Sequence, residues 1–233
     1  SSLILSEGEN FFVVSTLDKV IAKSIYVKKK FDVDKFFIAK EILNLKSNNI
    51  MFVDIGANIG SICIPLVSRN LVEKAIAIEP DPLNFKLLKA NVILNSLDNK
   101  IITIEKALGK EKNGNINFEL SKLNHGDHRV HTGKNNQIND DEKYRKVITV
   151  QLTNLDAILQ THQFENYFIW MDTQGYEGYV LEGAPLTLTK GYPLVMEFWP
   201  HGMSGTNVYQ VLKKSLKESP YNYFYDLNQS IHK

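Results

Sequence analysis

A chain of 233 residues suits one α/β domain with at most a small appendage. Its 43% apolar and 23% charged residues are ordinary for a globular protein, and a net charge of +1 gives no reason to expect a nucleic-acid or anionic-membrane partner. The single cysteine, Cys63, excludes an intrachain disulfide framework and suits a reducing, cytoplasmic setting, and no apolar stretch approaches the roughly 18 residues that span a bilayer.

No signal-peptide pattern opens the chain. It starts at Ser1 rather than Met, so a trimmed product or a piece of something longer is expected. Phe11–Val14 and Ile21–Val27 read as two strands around the turn Thr16–Lys19, giving an N-terminal hairpin. Lys28, Lys29 and Lys30 read as a solvated loop, with contact to an anionic substrate as the alternative. Helical spacing then runs over residues 34–46, through Phe36, Phe37, Ile38, Ile42, Leu43 and Leu45, with Asp34 as its cap. Hairpin and helix together form an N-terminal cap over residues 1–48, ahead of a main domain at 49–233.

The main domain opens with IMFVDIGANIG, residues 50–60. A short apolar strand ends in Asp54, a turn carries Gly56 and Gly60, and an apolar helix pattern follows. Strand, glycine turn and helix in that order make the ligand-binding corner of an open α/β sheet. The turn reads D-x-G-x-N-x-G and lacks the G-x-G-x-x-G spacing of a dinucleotide fingerprint. A carboxylate at the strand tip repels pyrophosphate and suits a ligand with a positive amino group and no phosphate, such as S-adenosylmethionine (SAM). Pro65 places the helix start near Ser61, or kinks the helix. The next strand, Ala75–Ile78, ends in Glu79, placed to accept hydrogen bonds from two ribose hydroxyls. The bland alternative is an ordinary strand-turn-helix with two surface acids. Pro80, Asp81 and Pro82 then break the chain and start a helix running to about Asn95. A third strand, Ile101–Ile104, leads into Glu105–Leu108, a candidate adenine-contact segment through Glu105 and Ala107.

Residues 109–146 change character. Ile116–Leu120 reads as a strand, followed by a polar stretch with three of the six histidines. Asn124–Arg129 reads as a lid carrying chemical groups, and Asn135–Asp141 as mobile. Strands are expected at Val147–Gln151, Tyr167–Met171 and Leu194–Met196, and an edge strand at Tyr221–Leu227. Helices are expected at Leu152–Gln160, capped by Thr153 or Asn154, from Tyr179 to near Gly183, and at residues 206–217.

Strands thus end at Asp54, Glu79, Glu105, Asp172 and Glu197. That placement of acids between helices resembles the class I SAM-dependent methyltransferases. More narrowly, VDIGANIG at 53–60, AIEPDP at 77–82, TNLDAIL at 153–159, MDTQGYEGYVLEGA at 171–184 and LVMEF at 194–198 resemble the FkbM family over residues 10–200. The GDHRV segment, 126–130, looks like one branch of it. The resemblance implies a three-layer, Rossmann-like sheet of about seven strands with the last antiparallel. It implies SAM as methyl donor and most often a hydroxyl acceptor on a sugar, glycolipid or polyketide, although some relatives methylate peptide amides. Cofactor contacts are then expected from Asp54, Gly56, Ala57, Asn58, Gly60, Glu79, Pro80, Glu105, Ala107 and Asp172.

A hydroxyl is a poor nucleophile at neutral pH, so a base within hydrogen-bond reach is expected. Asp172 is the first candidate; holding the SAM ammonium, holding the acceptor or capping the next helix are its other readings. Glu197 is the second, and His128 the third, because an unperturbed imidazole titrates near neutrality. His201 is weaker. No metal site is expected: His125, His128 and His131 sit with Asp127 in a polar loop without a rigid frame, and no acid pair for magnesium is evident at Asp172 and Glu197. Tyr176, Tyr179, Phe198 and Trp199 read equally as a sugar platform or as core. A nicotinamide-dependent oxidoreductase and a SAM-binding module without catalysis stand as the outside alternatives. Oligomeric state is not legible.

Overall fold

The computed structural model describes residues 2–29, 32–133, 145–162 and 164–228. The chain begins with strands β1 (Leu3–Ser6) and β2 (Phe12–Ser15), then helices α1 (Ile21–Lys28) and α2 (Val33–Ile42). Strand β3 (Met51–Ile55), helix α3 (Cys63–Ser68), strand β4 (Lys74–Ile78), helix α4 (Pro82–Leu94) and strand β5 (Ile101–Ile104) follow. Next come β6 (Ala107–Leu108), β7 (Gly114–Leu120), β8 (Arg129–Val130) and β9 (Lys146–Thr153). The last part holds α5 (Leu155–Leu159), β10 (Tyr167–Met171), α6 (Glu177–Glu182), α7 (Pro185–Thr189), β11 (Leu194–Met196), α8 (Pro200–Met203) and α9 (Val208–Lys217).

The central sheet has the order β11-β10-β3-β4-β5 with every pairing parallel. Its strands are apolar along most of their length because both faces are covered. Alternate residues divide between two cores. Phe52, Ala75, Ala77, Phe168 and Trp170 pack toward α3, α4 and the N-terminal elements. Val53, Ile55, Ile76, Ile78, Ile169 and Met171 pack toward α5, α6, α7 and α9. After β3 the chain builds outward to β5, then crosses back to add β10 and β11 on the other side. The strand order therefore reverses beside β3, and the crevice at such a switch point is where ligands of open α/β sheets bind.

Several expectations change. Among the described residues the central sheet has five parallel strands, not seven with an antiparallel last one, and Tyr221–Leu227 forms no strand. Val147–Gln151 is a strand, but it lies in a second sheet, β6-β9-β7-β8. Within residues 109–146, β7 and β8 belong to this sheet: β7 pairs with β9 antiparallel over its full length, around a small core of Ala107, Phe118, Val130, Val150 and Leu152. The Asn135–Asp141 stretch lies outside the described residues. Residues 21–27 form a helix rather than a strand. Ile21, Ala22 and Ile25 are its buried face, and Asp18 accepts hydrogen bonds from the amides of Val20 and Ala22 at 2.9 Å each. The hairpin pairs Leu3–Ser6 with Phe12–Ser15 instead. It is tied to α4 by two asparagines one turn apart. Asn91 accepts from Val13 N at 2.7 Å, and Asn95 accepts from Phe11 N at 3.0 Å and donates to Phe11 O at 2.7 Å.

Pro65 sits in the first turn of α3, where a missing amide costs nothing. Asp81 caps α4 through the amides of Leu83 and Asn84, with Pro82 at the first helical position. Asn154 caps α5. Asp156, within the TNLDAIL segment, plays a structural part. It accepts from Leu186 N at 2.9 Å and Thr187 N at 2.8 Å and so caps α7. No helix among the described residues is long and apolar enough to cross a membrane.

Candidate active site

The turn after β3 uses backbone that favours glycine: Gly56 has φ +83° and Gly60 φ +88°, with Asn58 at +52° between them. At Gly56 a side chain is excluded outright, since a Cβ would lie 1.9 Å from the Asp172 carbonyl oxygen. The tips of β3 and β10 meet there, at the switch point.

Asp54 lies near the end of β3 and Glu79 follows β4, and only 2% and 4% of each is exposed. Asp54 accepts from Cys63 N at 3.3 Å. Glu79 bridges two turns, accepting from Asn58 N and from Asp81 N at 2.8 Å each. Neither is paired with a lysine or arginine among the described residues. Burial pushes Asp54 up to about 7, with the Asp172 charge adding to it. Burial likewise lifts Glu79 to about 8, against the pull of the Asp81 and Asn58 amides. Each Glu79 oxygen keeps a second lone pair for a ligand hydroxyl.

The loop 121–128 covers this corner. The His125 carbonyl accepts from Asn58 Nδ2 at 2.8 Å and from Asn84 Nδ2 at 3.0 Å. Asn84 is 1% exposed, and its Oδ1 has no partner among the described residues. Gly126 packs against Ile21, and Leu123 O accepts from Lys19 N. Sequence reasoning misses Asn84; only its place five residues after Glu79, on the first turn of a capped helix, points to it. Pro80 and Ala57 flank the same corner, while Glu105 and Ala107 lie beyond the end of β5, Glu105 exposed and Ala107 buried.

His128 does not fit the role of base. Its Nδ1 accepts from Ser121 N at 2.9 Å, which places the ring proton on Nε2 and leaves no free lone pair. Burial and the neighbouring His125 and Arg145 hold it down at about 3. His131 is turned to Glu119 instead. Among the described residues no group of three or more His, Cys, Asp or Glu side chains is placed to hold a metal ion.

Asp172 and Glu197, by contrast, form the acid pair that the sequence does not reveal. The β10–β11 register pairs Met171 with Met196, so the next residues on the two strands stand side by side. Gln174 Nε2 donates to both, 2.5 Å from Asp172 Oδ1 and 3.0 Å from Glu197 Oε2. Burial and the Asp172 charge lift Glu197 to about 8. Burial also raises Asp172, against the pull of the Gln174 amide, so the two acids retain protons as a pair. Gln174 also lines a small groove with Glu119, Arg129, Thr132, Tyr176 and Gly202. A second hollow shares Thr132 and Tyr176 with it and is lined by Tyr179, Thr206 and Asn207. The Tyr176 and Tyr179 rings pack tilted at 50° with centres 5.0 Å apart, the Arg129 guanidinium lies 5.9 Å from the Trp199 ring, and Phe198 is exposed and 6.4 Å from Tyr209.

A doubly wound sheet with acids at the ends of four adjacent strands and glycines at the switch point belongs to the ligand-binding α/β class. A family model, the methyltransferase FkbM domain, matches residues 54–219, and the chain belongs to that family. A solved FkbM methyltransferase from Methylobacillus flagellatus KT has the same fold over 76% of this chain, with 18% identity and a TM-score of 0.50. The match covers 40% of that protein, so this chain spans well under two thirds of its length. TYW2 of M. jannaschii, solved in complex with AdoMet, is 23% identical over 45% of this chain and 43% of its own, with a TM-score of 0.32. No curated protein matches the sequence.

Proposed function

We propose that the chain is a SAM-dependent methyltransferase that methylates a hydroxyl, most simply on a sugar, glycan or glycolipid. The observation carrying this reading is the pair of buried carboxylates, Asp54 and Glu79, with no cationic side chain among the described residues to neutralise them. Such a site rejects the pyrophosphate of a nicotinamide dinucleotide and fits a ligand bringing an ammonium and ribose hydroxyls. Asp54, with the turn at Gly56, Ala57, Asn58 and Gly60, takes the amino-acid end. Glu79 and Pro80 take the ribose, and Glu105 and Ala107 flank the adenine. Loop 121–128 opens to admit the cofactor. Residues 1–48 act as a cap on a catalytic domain at 49–233.

Bound SAM supplies an activated methyl group on a sulfonium. The chain's part is alignment and proton removal, and orientation alone is worth on the order of 7–11 kcal/mol. Asp172 takes the proton of the acceptor hydroxyl, which would ready that oxygen for the methyl group SAM supplies. Glu197 keeps its own proton, which lets Asp172 stay ionised beside it. Tyr176, Tyr179 and Trp199 offer ring faces to a sugar. Transfer of label from methyl-labelled SAM into polysaccharide, lipid, protein and small-molecule fractions of source-cell extract tests this. Alkali-stable label in polysaccharide or lipid is expected. Label confined to protein or peptide would replace the reading with amide N-methylation. SAM binding without any transfer would replace it with a binding module.

A further inference from the structure

We propose that Gln174 is a positioning residue for this reaction, its carboxamide holding Asp172 and Glu197 together as one unit facing the acceptor groove; this rests on the reading of Asp172 as the base. Gln174 is a non-glycine residue in left-handed backbone, φ +53°, followed by Gly175 at +91°. Such a conformation is disfavoured for a residue that carries a Cβ, and it persists only where its surroundings over-determine it. Here they do. Glu177, fully buried, accepts through one oxygen from Thr173 N at 3.1 Å, Thr173 Oγ1 at 3.0 Å and Gly175 N at 3.2 Å, on both sides of Gln174. Gly175 in turn lies against the Gly202 backbone, where a Cβ would come to 3.0 Å.

The left-handed turn folds the Gln174 side chain back over the strand tips, where its amide nitrogen meets one oxygen of each acid. The chemistry of the residue matters. A lysine here would neutralise the pair and leave both carboxylates ionised; a third acid would repel them. A neutral double donor holds two carboxyl groups close and lets them share one proton. That is the state in which one can accept a proton from a hydroxyl near neutrality while the other stays protonated.

The test is Gln174→Gly, because glycine adopts the left-handed backbone without strain and removes only the bridge. Side-chain carboxyl carbons of Asp172 and Glu197 are followed by NMR in carbon-13-labelled wild type and variant from about pH 4 to about pH 10, assigned with Asp172→Asn and Glu197→Gln. The melting temperature is expected to hold or rise, while the titration midpoint of the pair moves by about half a unit or more, roughly a threefold change in proton affinity. A folded variant whose pair titrates as in the wild type overturns the proposal and leaves Gln174 as a turn residue. Should Gln174→Gly fail to fold, Gln174→Asn, which tolerates the same backbone but cannot reach both acids, is judged by the same midpoint. Calorimetry with SAM is run separately on the wild type: absence of binding there defeats the proposed function, and the titration still judges Gln174.

Discussion

Asp54 and Glu79 are expensive residues to bury, and the direction of that cost is measurable. Both carboxyls bind protons more tightly in the folded chain than in the unfolded one, at about 7 and about 8. The stability this provides is fully present below the unfolded carboxylate range and is lost as pH rises through 7 and 8. The free protein is therefore expected to melt at lower temperature as pH is raised from about 5 to about 9. Asp54→Asn and Glu79→Gln should flatten that slope, and melting curves across pH check it. A cationic ligand that needs both carboxylates ionised must also expel protons on binding near neutrality. Calorimetric SAM titrations in buffers of different ionisation enthalpy should show that release. At the other acid pair, Asp172→Asn is expected to leave SAM affinity within a few-fold and slow transfer by on the order of 100-fold. An unchanged turnover removes Asp172 from the chemistry.

At the scale of elements, what is legible in the sequence is what is local. The strand carrying Asp54, the turn at Gly56 and Gly60, the Asp81–Pro82 start of α4 and the Asn154 cap all follow from neighbouring residues. The pairing of Asp172 with Glu197 does not, because it depends on the register of two strands whose sequence positions say nothing of their adjacency. Residues 21–27 mislead because their β-branched content favours strand, while burial of Ile21, Ala22 and Ile25 on one face decides for helix. Asp156 shows how a segment of the family resemblance can be structural: its carboxylate holds the start of α7. Asp156→Ala should cost about 2 kcal/mol in urea denaturation with SAM affinity retained. Loop 121–128 illustrates the reverse, a polar stretch that is largely anchored. His128 is a candidate on its ordinary titration range alone; burial removes it from that range, and the Ser121 amide occupies its Nδ1.

The whole molecule is a parallel sheet sandwiched between two cores, with a smaller sheet standing over its carboxyl edge. Phe36, Phe52 and Phe168 pack within 6.0 Å of one another, ring centre to ring centre, joining α2 to β3 and β10 behind the switch point. Phe168→Ala is expected to cost about 3–5 kcal/mol and to loosen the strand that leads into Asp172. The second sheet is not legible in the sequence because its strands are individually ordinary and only their partners distinguish them from the central five. It supplies Glu119 and Arg129 to the groove, and the loop that covers Glu79 joins two of its strands. The glycine turn after β3 and the tip of β10 meet at the switch point, where Gly56 lies against the Asp172 carbonyl. The most direct measurement is calorimetric binding of SAM to the wild type and to Asp54→Ala. Binding to the wild type, weakened roughly 30-fold or more in the variant, is the result expected. Equal affinity in the two, or none in the wild type, would contradict the assignment of this corner to the cofactor.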